Sequence, residues 1–304
     1  MNIPFVRYNN LGFITSSTLI VIACISLLFK GLNLGQEFTG GIALQLKYDQ
    51  KAELPKIRSS LSKIENVDFK VNNFGSDNEV KITFQSDSEL NITVDTVKNQ
   101  LEADNYLGDV VMTATVFPQI GEELRDKGGI AILVAMLVIL VYIIFRFQIK
   151  FGYGAIAALF HDVLIILGIF SIFGLDFDLS VLAAILAIVG YSLNDSIVVS
   201  DRIRENFLDQ NKKGSPEVLI NDSLNQVFAR TIITSFTTLL VLISLLVVGG
   251  EDLRNFSLAL AIGVIIGSYS SIFIVVKVLL ATNLSKKDME KPKNEPEESY
   301  SLDW

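Results

Sequence analysis

Six windows of about 19 or more mostly apolar residues run through this chain, at 11–29, 129–147, 153–173, 180–200, 231–249 and 256–281, and each is long enough to cross a ~30 Å hydrocarbon core. Lipid offers no hydrogen bonds to a peptide group, so segments of this length can cross it only as helices. The windows therefore predict a polytopic α-helical membrane protein with six transmembrane helices. Composition agrees, since only 19% of the 304 residues are charged, against roughly 25% in ordinary soluble domains.

The first window is too long for a signal-peptide apolar core and is followed by LLFKGLNLG rather than a small-x-small cleavage site, so residues 1–29 read as a retained anchor. The one cysteine, Cys24, lies inside it and reads as an apolar packing residue, which leaves the exported segment without a disulfide. Basic residues set the orientation, because short loops rich in Lys and Arg stay in the cytoplasm. Arg7, Arg146, Lys150, Arg202, Arg204, Lys212, Lys213, Arg230, Lys286, Lys287, Lys291 and Lys293 share one side, whereas the opposite short loops carry only Arg254. Both termini are expected in the cytoplasm and residues 30–128 outside. The net charge of −8 comes with no basic, aromatic-rich patch, so no nucleic-acid partner is expected.

Within the exported segment the signals alternate. Residues 42–48, 67–74, 79–85 and 110–117 alternate apolar and polar as half-buried strands do, 51–64 and 92–103 carry helical spacing, and 75–78 (GSDN) supply a turn. The order β-α-β-β-α-β predicts a small α+β ferredoxin-like domain, a fold that assigns no function by itself. The domain shows no nucleophile with its base, no phosphate loop and no metal-ligand cluster. Neither catalytic residues nor a cofactor or metal are expected, and the chain does not read as an enzyme. On the cytoplasmic side 201–229 is too polar to span. Residues 202–207 should prolong the fourth helix, Gly214 end it, and Ser215-Pro216 start an amphipathic helix lying along the membrane surface or against a partner, with Ile220, Leu224, Val227 and Phe228 on one face. Residues 282–304 read as a disordered tail.

The chemistry concentrates in the fourth window, where GYSLNDSIVVSDRIREN (190–206) places Asn194 and Asp195 in a membrane span. A carboxylate there costs about 2.5–3.5 kcal/mol and its short stem cannot reach far toward water, so it is a functional candidate by default. Ser192, Asp195, Ser196 and Val199 share a helix face with Tyr191 nearby, a polar stripe that should face the bundle interior. Arg230 opens the fifth span at a comparable depth. An arginine that moves toward or away from a buried aspartate changes whether the aspartate holds a proton, which makes Asp195, Arg230 and Asn194 a candidate proton relay. The competing reading is a static pair that locks two helices. His161-Asp162 in the third span, with Ser192, form a candidate accessory proton pathway, or else a hydrogen-bonded anchor between helices. Gly263, Gly267 and Ser271 form a small-residue stripe suited to helix packing.

Several of these segments together resemble the SecF family of protein-export membrane subunits: GLNLGQEFTGG (31–41), the whole of 190–206, ARTIITSFTTLL (229–240) and IGVIIGSYSSIF (262–273). Gln36-Glu37 stands where that family commonly has an apolar residue and Asp, which keeps the carboxylate. The resemblance implies one six-span half of a resistance-nodulation-division architecture, with SecD supplying the other half. It further implies that proton-motive force helps to draw a translocating preprotein out of the SecYEG channel after SecA-driven insertion, with the family's intramembrane Asp and Arg falling on Asp195 and Arg230. Two other readings stay open at this level: a half-size proton-coupled exporter of a small molecule or lipid, and a non-transporting scaffold.

Overall fold

The computed structural model describes residues 3–65, 67, 69–84, 93–116, 118–146 and 149–289. Among them, five helices are long and apolar enough to cross a membrane: α1 (Phe5–Phe29), α6 (Ile149–Phe173), α7 (Leu179–Leu208), α8 (Pro216–Val248) and most of α9 (Glu251–Ala281). The expected window at 129–147 falls on a further helix, α5 (Pro118–Arg146), and its last residue lies outside the described residues. Helix α5 starts well before that window. Pro118 suits a first helical position, and a Glu123–Lys127 ion pair four residues apart (2.5 Å) supports the polar turns that follow.

Between α1 and α5 the chain runs β1 (Asn33–Leu34), α2 (Gln36–Thr39), β2 (Gly41–Lys47), α3 (Leu54–Leu61), β3 (Phe69–Phe74), β4 (Ser76–Phe84), α4 (Val94–Ala103) and β5 (Asp109–Val116). The long strands form one antiparallel sheet in the order β3-β4-β2-β5. Leu44, Leu46, Val80 and Ile82 turn to one face, where Ile57 and Leu61 of α3 and Val97 and Leu101 of α4 cover them, and all eight are essentially inaccessible. Asp104 ties the two helices together by accepting from Ser60 (2.6 Å), Lys63 (2.6 and 2.7 Å) and Gln100 (3.0 Å), and the Lys63 ammonium first among these holds its carboxyl below the usual range. The turn expected over 75–78 is tighter than that. Gly75 alone takes the left-handed conformation (φ 76°) and Ser76 already pairs with Phe74.

A short parallel pair joins this segment to the bundle: Asn33–Leu34 runs beside β6 (Asp176–Phe177) in the connection between α6 and α7. Helix α2 then packs so closely on α5 that a methyl group at Gly121 would meet the Phe38 carbonyl oxygen at 2.8 Å. In the bundle α9 is the most enclosed span, packed against α1, α6, α7 and α8, while α1 and α8 turn most of their surface outward.

Two expectations are corrected. The segment leading into the fifth span is not a separate surface helix. Ser215 and Pro216 do begin a helix, but α8 continues unbroken from Pro216 to Val248 because no Gly or Pro follows Pro216 within it to interrupt it. Its first turns pack on the end of α7 and on the N-terminus. Ile220 and Leu224 are buried with Ile203 and Phe207, and Asn225 both accepts from the Ile3 amide (2.7 Å) and donates to the Ile3 carbonyl (2.9 Å). The second correction concerns 282–289, which docks rather than dangles. Leu284 and Met289 are buried, a 3₁₀ turn spans Lys286–Met289, and Asp288 pairs with Lys150 at 2.8 Å. The rest of the expected tail lies outside the described residues.

Candidate functional site

Asp195 sits near the middle of α7, about 24 Å along the helix from Leu179, and is 4% exposed. Ser192, Ser196 and Val199 are buried on the same side, as helical spacing requires, and Tyr191 is half-buried with its hydroxyl 3.4 Å from Thr238. The carboxylate accepts one long hydrogen bond, from Ser268 of α9 at 3.4 Å. Ser268 in turn shares a 2.6 Å hydroxyl contact with Ser235 of α8. Three helices therefore converge on one carboxylate that is weakly satisfied. A carboxylate has room for about four acceptor contacts, and one this short of partners is poised to take a proton or a different partner.

Arg230 of α8 is exposed, and its charge is felt at Asp195, yet no ion pair within 4.0 Å joins them. The direct contact that comparable depth suggested is absent in this conformation, and Arg230 acts on Asp195 through its charge alone. Asn194 is exposed too. It follows Leu193 and precedes Asp195 along a helix that turns 100° per residue, so it faces out of the bundle and does not line the Asp195 cluster.

A second polar cluster lies deeper and is knitted differently. His161 and Asp162 of α6 are 2% and 1% exposed, with Nδ1 and Oδ1 2.8 Å apart. The other carboxylate oxygen accepts from Ser192 of α7 (2.5 Å) and Ser270 of α9 (2.9 Å), and the other imidazole nitrogen lies 3.1 Å from the Ser16 hydroxyl of α1. Tyr269 stacks beside the imidazole and donates to the Gly12 carbonyl at 2.6 Å. Four helices are joined here through two adjacent residues.

The small-residue stripe is used inside the chain. A methyl group at Gly263 would meet Ile188 at 2.4 Å, one at Gly267 would meet Ser192 at 3.0 Å, and Ser271 is fully buried with its hydroxyl on the Ser268 carbonyl. Gly267 thus lets α9 close on α7 at the residue that holds Asp162. Sequence reasoning missed Ser16, Ser235, Ser268 and Ser270. The run GSYSS (267–271), three serines in five residues of an apolar span, was the available signal for two of them.

Comparison with known proteins decides the family. The model for the C-terminal part of the protein export membrane proteins SecD/SecF matches residues 96–285, and that for the SecD/SecF GG motif matches 25–52. The chain belongs to the SecD/SecF family of protein-export membrane proteins. It is 45% identical over 291 residues to the protein translocase subunit SecF of Pseudomonas aeruginosa, covering 95% of this chain and 94% of that one. A second, from Desulfurispirillum indicum, is 41% identical and covers 97% of each. Among solved structures, SecDF of Thermus thermophilus, described as a translocon-associated membrane protein, superimposes with a TM-score of 0.81 at 36% identity. That match takes in 93% of this chain and 39% of the longer one. The same holds for SecDF in a super-membrane-facing form, with a TM-score of 0.70.

Proposed function

We propose that this chain is the SecF-type accessory subunit of a preprotein translocase: a six-span half whose second span is α5, with a ferredoxin-like exported domain and both termini in the cytoplasm. It pairs with a SecD-type half in the bacterial inner membrane and uses the proton-motive force to promote late steps of translocation through SecYEG, after SecA-driven insertion. The names and near-complete coverage of the relatives support the assignment, and the 39% share of the SecDF chain supports the missing half. The observation that carries the mechanism is Asp195, a buried carboxylate with a single long hydrogen bond and an unpaired cation in electrostatic reach.

Protonation removes its charge and with it the reason for Arg230 to stay near. Loss of the proton restores both, so each passage switches which packing of α7, α8 and α9 is favoured. A proton crossing ~100 mV releases about 2.3 kcal/mol, enough to bias an equilibrium of that size without any covalent step. Asp195→Asn keeps size and hydrogen bonding but cannot exchange a proton. In vesicles with an imposed proton gradient, late-stage export of a secreted substrate is expected to fall to its gradient-free rate, while insertion and partner binding persist. Gradient-stimulated export by that variant would sink the relay and favour a static role for the residue.

A further inference from the structure

His161 and Asp162 are as deeply buried as any charged residues in the bundle, and the relay described above does not use them. The contrast with Asp195 is chemical. Asp162 accepts from three groups at 2.8, 2.5 and 2.9 Å, whereas Asp195 accepts from one at 3.4 Å. A group that carries protons must change partners, and a carboxylate held by three short contacts in a closed cluster must break one of them to do so. The cluster also ends on itself. Its far side is the Ser16 hydroxyl, 1% exposed, rather than an opening toward either face. Among the described residues, the one ionisable side chain in contact with Asp162 is His161, so the pair hydrogen-bonds within itself and to serine hydroxyls.

What the cluster does touch is the machinery around Asp195. Ser192 lies one turn before Asp195 on α7, and Ser270 lies two residues beyond Ser268 on α9, so that Asp162 and Asp195 grip opposite faces of α9. Ser16 belongs to α1, which leads into the exported segment and is tied to α6 again at its other end, where the Ser26 and Ser171 hydroxyls meet at 2.7 Å.

We propose that His161 and Asp162 are positioning residues, a hydrogen-bonded pair that sets the register of α7 and α9 at which Ser268 meets Asp195 and anchors α1 to that register, and that they are not a second proton carrier. This rests on the reading of Asp195 as the relay.

The test uses the full chain with its partner half in a Cys24→Ser background. Ser235→Cys with Ser268→Cys reports by disulfide formation whether position 268 of α9 keeps its place against α8, the place from which it meets Asp195, since the native hydroxyls are 2.6 Å apart. Asp162→Asn keeps the shape, and the serine hydroxyls can turn to donate to its oxygen or accept from its amide. Disulfide yield, and gradient-driven export measured without the cysteine pair, should stay within about threefold of the parent. Asp162→Ala empties the cluster, and both should fall about tenfold or more. Asp162→Asn that crosslinks normally yet exports no better than Asp195→Asn would show that Asp162 carries protons, and Asp162→Ala that crosslinks normally would show that it positions nothing. Should Asp162→Ala fail to accumulate, Ser270→Ala takes its place, with about a two- to threefold loss of crosslinking expected and an unchanged yield overturning the proposal. If Asp195→Asn itself exports normally the relay reading fails, while the crosslink yields still decide the positioning role.

Discussion

At the scale of single residues the two intramembrane carboxylates show how hydrogen-bond supply divides labour between chemically identical groups. Asp162 has three contacts at 2.5–2.9 Å, whereas Asp195 has one at 3.4 Å and feels the Arg230 charge without an ion pair. Because Arg230 makes no ion pair with Asp195 in this conformation, its charge rather than its planar fork is what acts across the gap. Lys keeps that charge on a shorter reach, so Arg230→Lys is expected to retain gradient-driven export within about threefold, and Arg230→Ala to lose about tenfold or more. The rates of the two variants side by side decide the matter. Equal loss in both would mean that a bidentate contact, formed in another state of the cycle, is indispensable.

At the scale of elements, much of the bundle could be read directly, because apolar length and the lipid's demand for internal hydrogen bonds leave a helix as the only solution. The windows at 11–29, 153–173, 180–200 and 256–281 each lie on one helix and 231–249 overruns α8 by one residue, and the described parts of the four long strands lie within three residues of where period-two alternation put them, the expected ends at 85 and 117 falling outside the described residues. Periodicity does not say where a helix that meets no breaker will stop, which is why α8 runs on through the segment expected to lie on the surface. Nor does it say which serine meets which carboxylate, since that depends on how α9 rolls against α6 and α7. Asp195 stood out because a charge in an apolar span is costly, whereas its partner Ser268 carries no such cost and left little trace. The interlocking rests on close approaches that can be tested one at a time. A methyl group at Gly168 would lie 2.2 Å from the Ala23 side chain and 2.7 Å from its Cα, which is backbone and cannot turn aside, while one at Gly190 meets nothing within 4 Å. Gly168→Ala should therefore push α1 off α6 and lower the thermal stability of the detergent-solubilised protein, at a cost of about 1–3 kcal/mol. Gly190→Ala should raise it by about 0.5–1 kcal/mol through helix propensity. Equal melting temperatures for the two variants would mean that α1 is not held by that contact.

At the scale of the whole molecule, the distribution of polar side chains argues that this bundle is completed by something else. The small residues at Gly263, Gly267 and Ser271 are spent on contacts within the chain, so they are not the surface that a second half would seek. Of the exposed polar groups among the described residues of the spans, the hydroxyls of Thr15, Thr18, Thr234, Thr237 and Ser244 return to carbonyls of their own helix, whereas Asn194 on α7 and Arg230 at the level where α8 becomes apolar do not. Arg230 can extend toward the headgroups, but Asn194 is short and would face hydrocarbon if lipid covered it. A partner half placed there would meet Asn194 with hydrogen bonds and shield the approach of Arg230 to Asp195 in the same step. The chain expressed alone should then be short-lived in the membrane, and co-expression with the SecD-type half should lengthen its lifetime in a pulse-chase measurement. Asn194→Leu provides the control that separates a partner effect from general instability. With no amide to bury, the lone variant should persist longer than the lone parent while co-purifying less well with the partner half. If parent and variant decay alike, and alike with or without the partner, lipid already covers that face and the chain is complete as it stands.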